Sequence, residues 1–381
     1  MSPSRIRLGM VGGGEGAFIG AVHRIAARLD GRFELVAGAL SADPDRARRS
    51  GDVLGLAPAR SYASFQEMAD AEAARPDGVQ AVAIVTPNHL HAGPAQAFLA
   101  KGVHVICDKP LTATLEEARR LAASARAADA LFVLTLTYAG YPMVRRARAM
   151  VAEGGLGTVS IVQVEYAQGW LASALEAAGQ KQASWRTDPA KAGAGGCVGD
   201  IGTHAIHLAR FVSGLKLEAL ACDMSSFVGG RRLDDDARVL LRFEGGARGM
   251  LWASQVAVGC ENGLRLRVFG DQGGLDWQQE TPERLIFTPL GEPPRHIVRG
   301  GPGADDEARR LSRVPAGHPE GYLEAFANLY GDAADAIRAH AEGRSGGTES
   351  TVAGISDGLD GMVFIDACVR SSAQDAAWIR L

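Results

Sequence analysis

Apolar runs alternate with amphipathic segments over the first third of the chain. Strands are predicted over residues 6–11 and 33–40, on either side of residues 18–29, where apolar positions recur at helical spacing. The uninterrupted apolar runs at 79–85 and 103–107 are typical of strands that are buried on both faces of a parallel sheet. This alternation of strand and helix predicts an α/β fold with a doubly wound parallel sheet.

Capping signals mark where several helices begin. Ser64-x-x-Glu67 and Thr114-x-x-Glu117 match the capping box, in which a hydroxyl and a carboxylate satisfy the first amides of a helix. Asp43, which precedes a proline, is predicted to cap another helix that has proline at its first position. We therefore expect Asp43 to be structural.

The pattern changes to a period of two in the second half of the chain. Strands of this type are predicted over residues 158–166, 238–243, 248–253, 264–269 and 274–277. The second and third of these flank a Glu-Gly-Gly-Ala hairpin signal, and the first is apolar on both faces, as a central strand would be. Antiparallel strands after a βαβ half indicate a separate domain, so we divide the chain into residues 1–137 and 138–381.

The remaining segments complete this layout. Residues 131–137 are predicted to form the last strand of the first domain, and residues 143–153 to form an amphipathic helix. Residues 291–319 are polar and rich in Gly, Pro and Arg, which predicts a long loop. Two further helices are predicted over residues 320–341 and 348–369. The sequence leaves open whether they pack back on the first domain.

Composition narrows the class of protein. The 381 residues carry a formal net charge of −4 without a basic stripe, so nucleic acid is not an expected partner. No apolar stretch approaches the roughly 18–20 residues that a membrane span requires, so no membrane association is expected. The five cysteines form no CxxC pair and are typical of buried thiols in a reducing compartment. We expect a soluble, cytoplasmic protein.

A glycine-rich turn follows the first predicted strand. Gly12, Gly14 and Ala17 match G-x-G-x-x-G/A, and Gly16 lies in the same turn. Between a strand and a helix, such glycines let the backbone approach a pyrophosphate that the helix N-terminus faces. The sequence therefore predicts that the chain binds NAD or NADP.

The end of the second strand bears on which nucleotide is bound. Folds that bind NAD carry an acidic side chain there, which holds the ribose 2′-hydroxyl. This chain has Ser41 at that point, and Asp43 is already predicted to cap a helix. Ser41 together with Arg46 would accept a 2′-phosphate, so the sequence leaves NAD and NADP both open.

Polar turns follow the next two strands. They contain Thr86, Pro87, Asn88 and His91 after the first strand, and Asp108 and Lys109 after the second. Ligands of open α/β sheets bind beyond the carboxyl ends of the strands. We therefore expect these six residues at the nicotinamide end of the cofactor site.

Residues 195–214 combine a glycine-rich approach with Asp200, His204 and His207. On a helix that begins near Asp200, the spacings of four and three residues put these side chains on one face. A carboxylate one turn from a histidine can orient the imidazole and raise its basicity, as a general base requires. The pattern also fits a capping Asp with core histidines, or a zinc site in a metal-dependent hydrolase or lyase.

Four of these motifs, in this order, resemble the Gfo/Idh/MocA family of glucose–fructose oxidoreductase and inositol dehydrogenase type. They are the glycine turn, Thr86-Pro87-Asn88 with His91, Asp108-Lys109-Pro110, and Asp200-x-Gly-x-His204. The family's lysine lies in Glu-Lys-Pro, so the acid here is one methylene shorter. The family's histidine motif usually ends in an Asp three residues later, a position that His207 occupies here.

The resemblance implies a Rossmann domain followed by an α/β domain with a large open, mostly antiparallel sheet, through which the chain forms a homo-oligomer, a dimer or tetramer. It also implies hydride transfer between NAD or NADP and a secondary alcohol of a sugar, inositol or related polyol. The catalytic residues would be Lys109, Asp200 and His204. His204 would take the hydroxyl proton, Lys109 would stabilise charge on the oxygen, and Asp200 would position the imidazole. No metal is expected.

Five further residues are candidates for binding the polyol: Tyr138, Trp185, Arg186, His207 and His318. Two alternatives stand beside the dehydrogenase and the metal enzyme. One is an isomerase or glycosidase that holds NAD(H) tightly and recycles it within each turnover. The other is a non-catalytic sensor that binds the same ligands, since a fold does not determine a function.

Overall fold

The chain divides into two compact units in a computed structural model that describes residues 4–344 and 351–381. Within this part of the chain, the first unit comprises the stretch up to Leu136 together with that from Phe326 to Asp360. The second unit comprises residues 137–325 and 361–381. We inferred a domain boundary at 137/138 from the change in the hydrophobic pattern, and this boundary stays a prediction.

The first unit contains a five-stranded parallel sheet with the strand order β2-β1-β3-β4-β5. Its strands and the helices between them are β1 (Ile6–Gly12), α1 (Phe18–Leu29), β2 (Phe33–Ala39), α2 (Pro44–Val53), α3 (Phe65–Ala73), β3 (Ala81–Val85), α4 (Ala92–Leu99), β4 (His104–Cys107), α5 (Leu115–Ala127) and β5 (Phe132–Leu134). Every residue of β3 and β4 is buried, as their uninterrupted apolar sequences predict. The doubly wound parallel sheet is confirmed.

The predicted helix caps are present. The Asp43 carboxylate accepts a hydrogen bond of 2.8 Å from the Arg46 amide, with proline at the first position of α2. The hydroxyls of Ser64 and Thr114 accept from the amides three residues later, at 3.1 and 3.2 Å. These short-range bonds explain why the starts of α2, α3 and α5 could be located from sequence alone.

The rest of the described chain adds seven α-helices and nine further strands. They are α6 (Pro142–Ala152), β6 (Val159–Ala167), α7 (Lys181–Arg186), α8 (Pro189–Ala192), α9 (Thr203–Ser213), β7 (Leu217–Ser225), β8 (Asp236–Phe243), β9 (Arg248–Ser254), β10 (Gly263–Gly270), β11 (Gly273–Gln278), β12 (Arg284–Pro289), β13 (Arg295–Val298), α10 (Asp306–Arg310), α11 (Tyr322–Ala341), α12 (Ile355–Ser372) and β14 (Ile379–Arg380). The helices α11 and α12 are each divided between the two units.

The second unit is built on a nine-stranded sheet with the order β13-β12-β11-β10-β6-β9-β8-β7-β14. Only the β6–β9 pair is parallel among the described pairs of this sheet, and β6 lies at its centre, as predicted. Along β8 the side chains alternate between buried and exposed, so one face of the sheet is covered and the other is open. Helix α9 packs against β6 and β10. The large open, mostly antiparallel sheet is confirmed.

The structure differs from the sequence prediction over residues 291–319, which contain the short strand β13 and the one-turn helix α10 in place of an unbroken loop. Asp305 caps α10 by accepting from the Ala308 amide at 2.8 Å. Arg299, which is 1% exposed, donates to the carboxylates of Glu283 and Glu320 and so anchors the segment. The polar local sequence predicted a loop. It gave no sign of this anchoring, because the anchoring carboxylates lie outside the segment.

The last predicted helix, over residues 348–369, begins at a position outside the described residues, and α12 is observed from Ile355 onward. Among the residues that the structure describes, no helix is both long enough and apolar enough to span a membrane.

Candidate active site

The turn after β1 has a backbone that only glycine adopts readily. Gly12, Gly13 and Gly16 have φ angles of +79°, +74° and +75°. A Cβ atom on Gly14 would lie 2.6 Å from the Leu40 carbonyl oxygen, which excludes any side chain there. No side chain caps the start of α1 at Ala17, so this helix N-terminus is suited to an anionic ligand. These residues fit the pyrophosphate of a dinucleotide.

The close approach of α1 to this turn depends on Gly20, which the fingerprint did not identify. A Cβ atom on Gly20 would lie 2.4 Å from the Gly13 Cα atom. The third position of the motif, Ala17, therefore does not carry the closest helix–turn contact. Arg24 secures the other side by donating a hydrogen bond of 2.6 Å to the Gly13 carbonyl oxygen.

Ser41 lies just after β2, and Arg46 lies in the first turn of α2. The Ser41 hydroxyl accepts a 3.1 Å hydrogen bond from the Asp43 amide, while the Asp43 carboxylate caps α2. The pKa of Asp43 is lowered, first by the hydrogen bond from the Arg46 amide. Asp43 is thus structural, as expected, and the roles of Ser41 and Arg46 toward the cofactor stay predictions.

His91 joins the two polar turns after β3 and β4. Its ring is 0% exposed, with Nδ1 at 2.8 Å from the Pro110 carbonyl oxygen and Nε2 at 2.8 Å from the Thr86 carbonyl oxygen. Between them, Asn88 is buried in a one-turn 3₁₀ helix that follows Pro87. The six residues predicted for the nicotinamide end therefore belong to two turns that contact each other through one imidazole.

Asp108 lies beside Lys109 in a largely buried site, with 16% of its side chain exposed. The Thr135 hydroxyl donates to its Oδ1 atom at 3.0 Å, and the His23 Nε2 atom lies 3.9 Å from the same oxygen. Burial alone would raise the pKa of this carboxyl, but its interactions with His23, Lys109 and His91, led by those with His23, hold the pKa at about 2. The acid of the lysine motif is therefore an anion at neutral pH.

His23 and Tyr330 extend this cluster, and sequence reasoning missed both. His23 is 0% exposed, and its Nδ1 atom lies 2.8 Å from the Tyr330 hydroxyl oxygen. Burial raises the pKa of Tyr330 far above its usual range, so this phenol stays protonated. A histidine in the middle of α1 and a tyrosine three hundred residues later share no local pattern that would have linked them.

In the second unit, Asp200 lies in a single π-helical turn, Val198–Gly202, that leads into α9. Turns of this kind occur frequently at functional sites. The Asp200 Oδ2 atom accepts two hydrogen bonds, from Arg186 Nε at 3.1 Å and from Gln255 Nε2 at 2.9 Å. Arg186 was predicted from its segment, whereas Gln255 directly follows β9 and carried no signal of its own.

His204 stands against two tyrosines. Its ring centroid lies 4.9 Å from that of Tyr138 in an edge-on arrangement and 6.4 Å from that of Tyr166. The two phenol hydroxyls contact each other, and the Tyr166 hydroxyl donates to the Asn262 amide oxygen at 2.7 Å. Burial raises the pKa of both phenols, so they are neutral hydrogen-bonding groups.

The approach to Asp200 is held by Asp234, another residue that sequence reasoning missed. This buried carboxylate accepts hydrogen bonds from the Gly196 and Val198 amides, the second at 2.8 Å, and lies 3.0 Å from the Cys197 sulfur. Burial raises the pKa of Asp234. Because three consecutive groups are held by one side chain, the segment that precedes Asp200 is rigidly placed.

The remaining substrate candidates have varied surroundings. The Trp185 ring is covered by the Arg186 guanidinium, 4.3 Å from its centroid. His207 is 8% exposed and stacks on Phe211 with 5.6 Å between the centroids. His318 is exposed, and its backbone oxygen accepts from Arg299. Their contact with substrate stays a prediction.

Lys109 belongs to the first unit, whereas Asp200 and His204 belong to the second. Within the described ranges, no group of three or more His, Cys, Asp and Glu side chains is arranged to hold a metal ion. The ligand grouping that the metal-dependent alternative needs is therefore not observed in this part of the chain.

Two family models match the chain. Residues 6–136 match an oxidoreductase family with an NAD-binding Rossmann fold, and residues 144–276 match a GFO/IDH/MocA C-terminal domain. The oxidoreductase YfiI of Bacillus subtilis strain 168 is 36% identical over 378 residues, which cover 98% of this chain and 96% of that protein.

Solved structures agree with these matches. An oxidoreductase from Sinorhizobium meliloti is 55% identical, with a TM-score of 0.90 over 99% of this chain and 100% of the other. An inositol dehydrogenase homolog from Azotobacter vinelandii, complexed with NADH and myo-inositol, is 38% identical, with a TM-score of 0.92 over 99% and 98% of the two chains. The chain therefore belongs to the Gfo/Idh/MocA family of oxidoreductases, with an NAD-binding Rossmann domain.

Proposed function

We propose that this oxidoreductase transfers a hydride between NAD and a secondary alcohol of a cyclic polyol, with myo-inositol as the first substrate to test. The observation that carries the proposal is the surroundings of His204 in the second unit. The His204 imidazole lies against two neutral phenols, four residues after a carboxylate that a guanidinium and an amide hold in place. This arrangement suits binding and deprotonation of a hydroxyl. The Azotobacter relative, which is complexed with NADH and myo-inositol, supports this substrate class.

Each catalytic residue has a distinct role in this proposal. His204 takes the proton of the reacting hydroxyl, and Lys109 stabilises the negative charge that develops on the oxygen. Asp200 orients the hydroxyls and the imidazole, with its own position set by Arg186 and Gln255. A bound nicotinamide would supply the hydride acceptor for the same carbon.

The residues that would hold the nucleotide come from the first unit. The glycine turn and the start of α1 would hold the pyrophosphate, and Ser41 with Arg46 would contact the ribose that bears the specificity-determining 2′ position. The turns that contain Thr86, Pro87, Asn88, Asp108 and Lys109 would border the nicotinamide. NAD is the nucleotide named by the matching family model.

The test is a spectrophotometric assay of NAD reduction with myo-inositol and a panel of related polyols. We expect His204→Ala and Lys109→Met each to lower kcat/KM by roughly 10²-fold or more, because each removes a group that acts in the transition state. His296→Ala and Lys101→Met, at an exposed histidine and at a surface lysine paired with Asp70, are the matched controls. Turnover within a few-fold of wild type in both active-site variants would overturn the assignment.

We also propose that the chain assembles as a homo-oligomer through the open face of its nine-stranded sheet. Leu240 and Met250 are paired across β8 and β9, and they are 53% and 49% exposed. Ile161 on the adjacent β6 is 49% exposed. Large apolar side chains clustered on one open sheet face are typical of a surface that a second copy covers.

A further inference from the structure

Both ring nitrogens of His91 face acceptors of the same kind. Nδ1 lies 2.8 Å from the Pro110 carbonyl oxygen, and Nε2 lies 2.8 Å from the Thr86 carbonyl oxygen. A carbonyl oxygen can only accept a hydrogen bond, and a neutral imidazole has one donor and one acceptor. A neutral ring would therefore point a nitrogen lone pair at an oxygen lone pair over 2.8 Å, whereas a doubly protonated ring donates to both.

Water does not take the place of that second ring proton. The ring is 0% exposed, so solvent does not separate the two groups. An unsatisfied contact of this kind inside a protein is expensive because the local dielectric is low.

Burial and nearby charge shift the pKa of His91 in opposite directions. Burial is the largest effect and lowers the pKa of His91 overall, against the Asp108 carboxylate and the backbone of Thr86, Pro110 and Leu111, which raise it. The second ring proton is therefore inferred from the two carbonyl contacts and not from this balance. Asp108 is the charged group that faces His91 from the β4 turn, and it is itself anionic at neutral pH. A largely buried anion is most stable with a cation nearby, which the protonated ring of His91 supplies.

We propose that His91 is a permanently protonated imidazolium that links the turns after β3 and β4 and so holds Lys109 in position. It is a positioning residue, since both of its ring bonds go to backbone. The part of this proposal that concerns Lys109 rests on the proposed function, whereas the charge state of His91 does not.

Nuclear magnetic resonance of ¹⁵N-histidine-labelled wild-type protein tests the charge state directly. The resonances of His91 are identified by their loss in His91→Asn, or from ring contacts to Thr86 and Pro110 if that variant does not fold. We expect one proton bound to each ring nitrogen from about pH 6 to about pH 8, where an unperturbed histidine loses its proton. A single ring proton at neutral pH would overturn the proposal.

Asp108→Asn tests the source of the charge. Without the carboxylate, we expect His91 to lose its second proton at a lower pH than in the wild type, which the same spectra report. An unchanged titration would mean that Asp108 does not sustain the cation, and the proposal would fail.

Kinetics test the positioning role. His91→Asn can donate to only one of the two carbonyl oxygens, so we expect kcat to fall by about tenfold or more with a smaller change in the KM for polyol. His296→Asn, the same change at an exposed histidine, is the control. If His91 is doubly protonated but the protein does not oxidise polyols, only the proposed function is refuted. If His91→Asn is fully active, only the positioning role is refuted.

Discussion

Asp200 shares one carboxylate oxygen between two donors from distant parts of the second unit. Its position four residues before His204 predicted a role in orienting the imidazole, and the structure adds Arg186 and Gln255 as partners of the carboxylate itself. The side chains of Arg186 and Asp200 are 25% and 18% exposed, so their ion pair is only partly screened by solvent. The orientation of Asp200 therefore depends on a segment that local sequence did not connect to it.

Replacing Arg186 by glutamine is expected to lower kcat/KM for polyol by about tenfold, because Asp200 loses a charged partner and its preferred orientation. The thermal stability should change little. Steady-state kinetics together with thermal unfolding separate these two effects. Arg232→Gln is the matched control, since Arg232 forms a similar ion pair with Asp188 but is 70% exposed. Equal kinetic effects of the two variants would contradict the role assigned to Arg186.

His104 makes the stability of the first unit sensitive to acid. Burial, with a smaller contribution from the charge of His340, lowers the pKa of His104 from 6.5 to about 4. Its Nδ1 atom accepts a 3.0 Å hydrogen bond from the Leu131 amide, which a protonated ring could not do. The folded state therefore holds this histidine neutral, and the unfolded chain binds a proton at higher pH.

The sign of the effect follows from linkage. A lowered folded pKa gives stability that is complete above about pH 6.5 and is lost as the pH falls to about 4, by roughly 3 kcal/mol for a change of this size. We expect His104→Asn to reduce this loss, because its amide oxygen still accepts from Leu131 but does not titrate. Denaturant unfolding at pH 7, 5 and 4 measures the difference. Parallel pH profiles for the two proteins would show that His104 is not responsible.

At the scale of elements, the contact between α1 and the glycine turn is a strict steric constraint. Gly20→Ala would place a Cβ atom 2.4 Å from the Gly13 Cα atom, so α1 or the turn must move. We expect a loss of about 1–3 kcal/mol in stability and a weaker affinity for NAD, measured by thermal unfolding and by calorimetric titration. Gly331→Ala, in α11, meets no atom within 4 Å and is expected to stabilise the protein by about 0.5–1 kcal/mol. A Gly20→Ala protein that behaves like Gly331→Ala would refute the constraint.

Elements that are specified locally could be predicted from sequence. The strands of the parallel sheet, the hairpin between β8 and β9, and the caps at Asp43, Ser64 and Thr114 depend on residues a few positions apart. The π-helical turn at Asp200 was not predicted. Such a turn holds one residue more than an α-helical turn, and a helix that begins near Asp200 has the same apolar spacing with or without that residue.

The partners of the candidate catalytic residues could not be predicted, because strand register brings them together. Tyr166 on β6 pairs with Leu264 on β10, which brings Asn262 within reach of its hydroxyl. Gln255 reaches Asp200 because β9 packs against the π-helical turn. Both relations link residues that lie roughly a hundred or fifty positions apart, and no local pattern specifies such a register.

For the whole molecule, the exposed apolar side chains of the open sheet predict an assembled state larger than the 39.9 kDa chain. The double variant Leu240→Glu and Met250→Glu should dissociate the assembly, because buried carboxylates without partners would be introduced at its centre. Sedimentation velocity at several concentrations measures the change. Val53→Glu, at an 85% exposed position on α2, is expected to leave the assembly intact. A monomeric wild-type protein would contradict the proposed interface.

The discontinuous first unit has a consequence for synthesis on the ribosome. All five strands of its parallel sheet have been made by Leu134, yet the amide of Leu134 bonds to the Ala353 carbonyl oxygen, and His23 bonds to Tyr330. At the usual rates of translation, the polypeptide between Leu136 and Phe326 takes roughly ten to forty seconds to emerge. The second unit is also incomplete until its edge strand β14, Ile379–Arg380, has been made. The nascent chain therefore carries two incomplete cores until these later residues have emerged, and that interval is when chaperones and proteases would have most access to it.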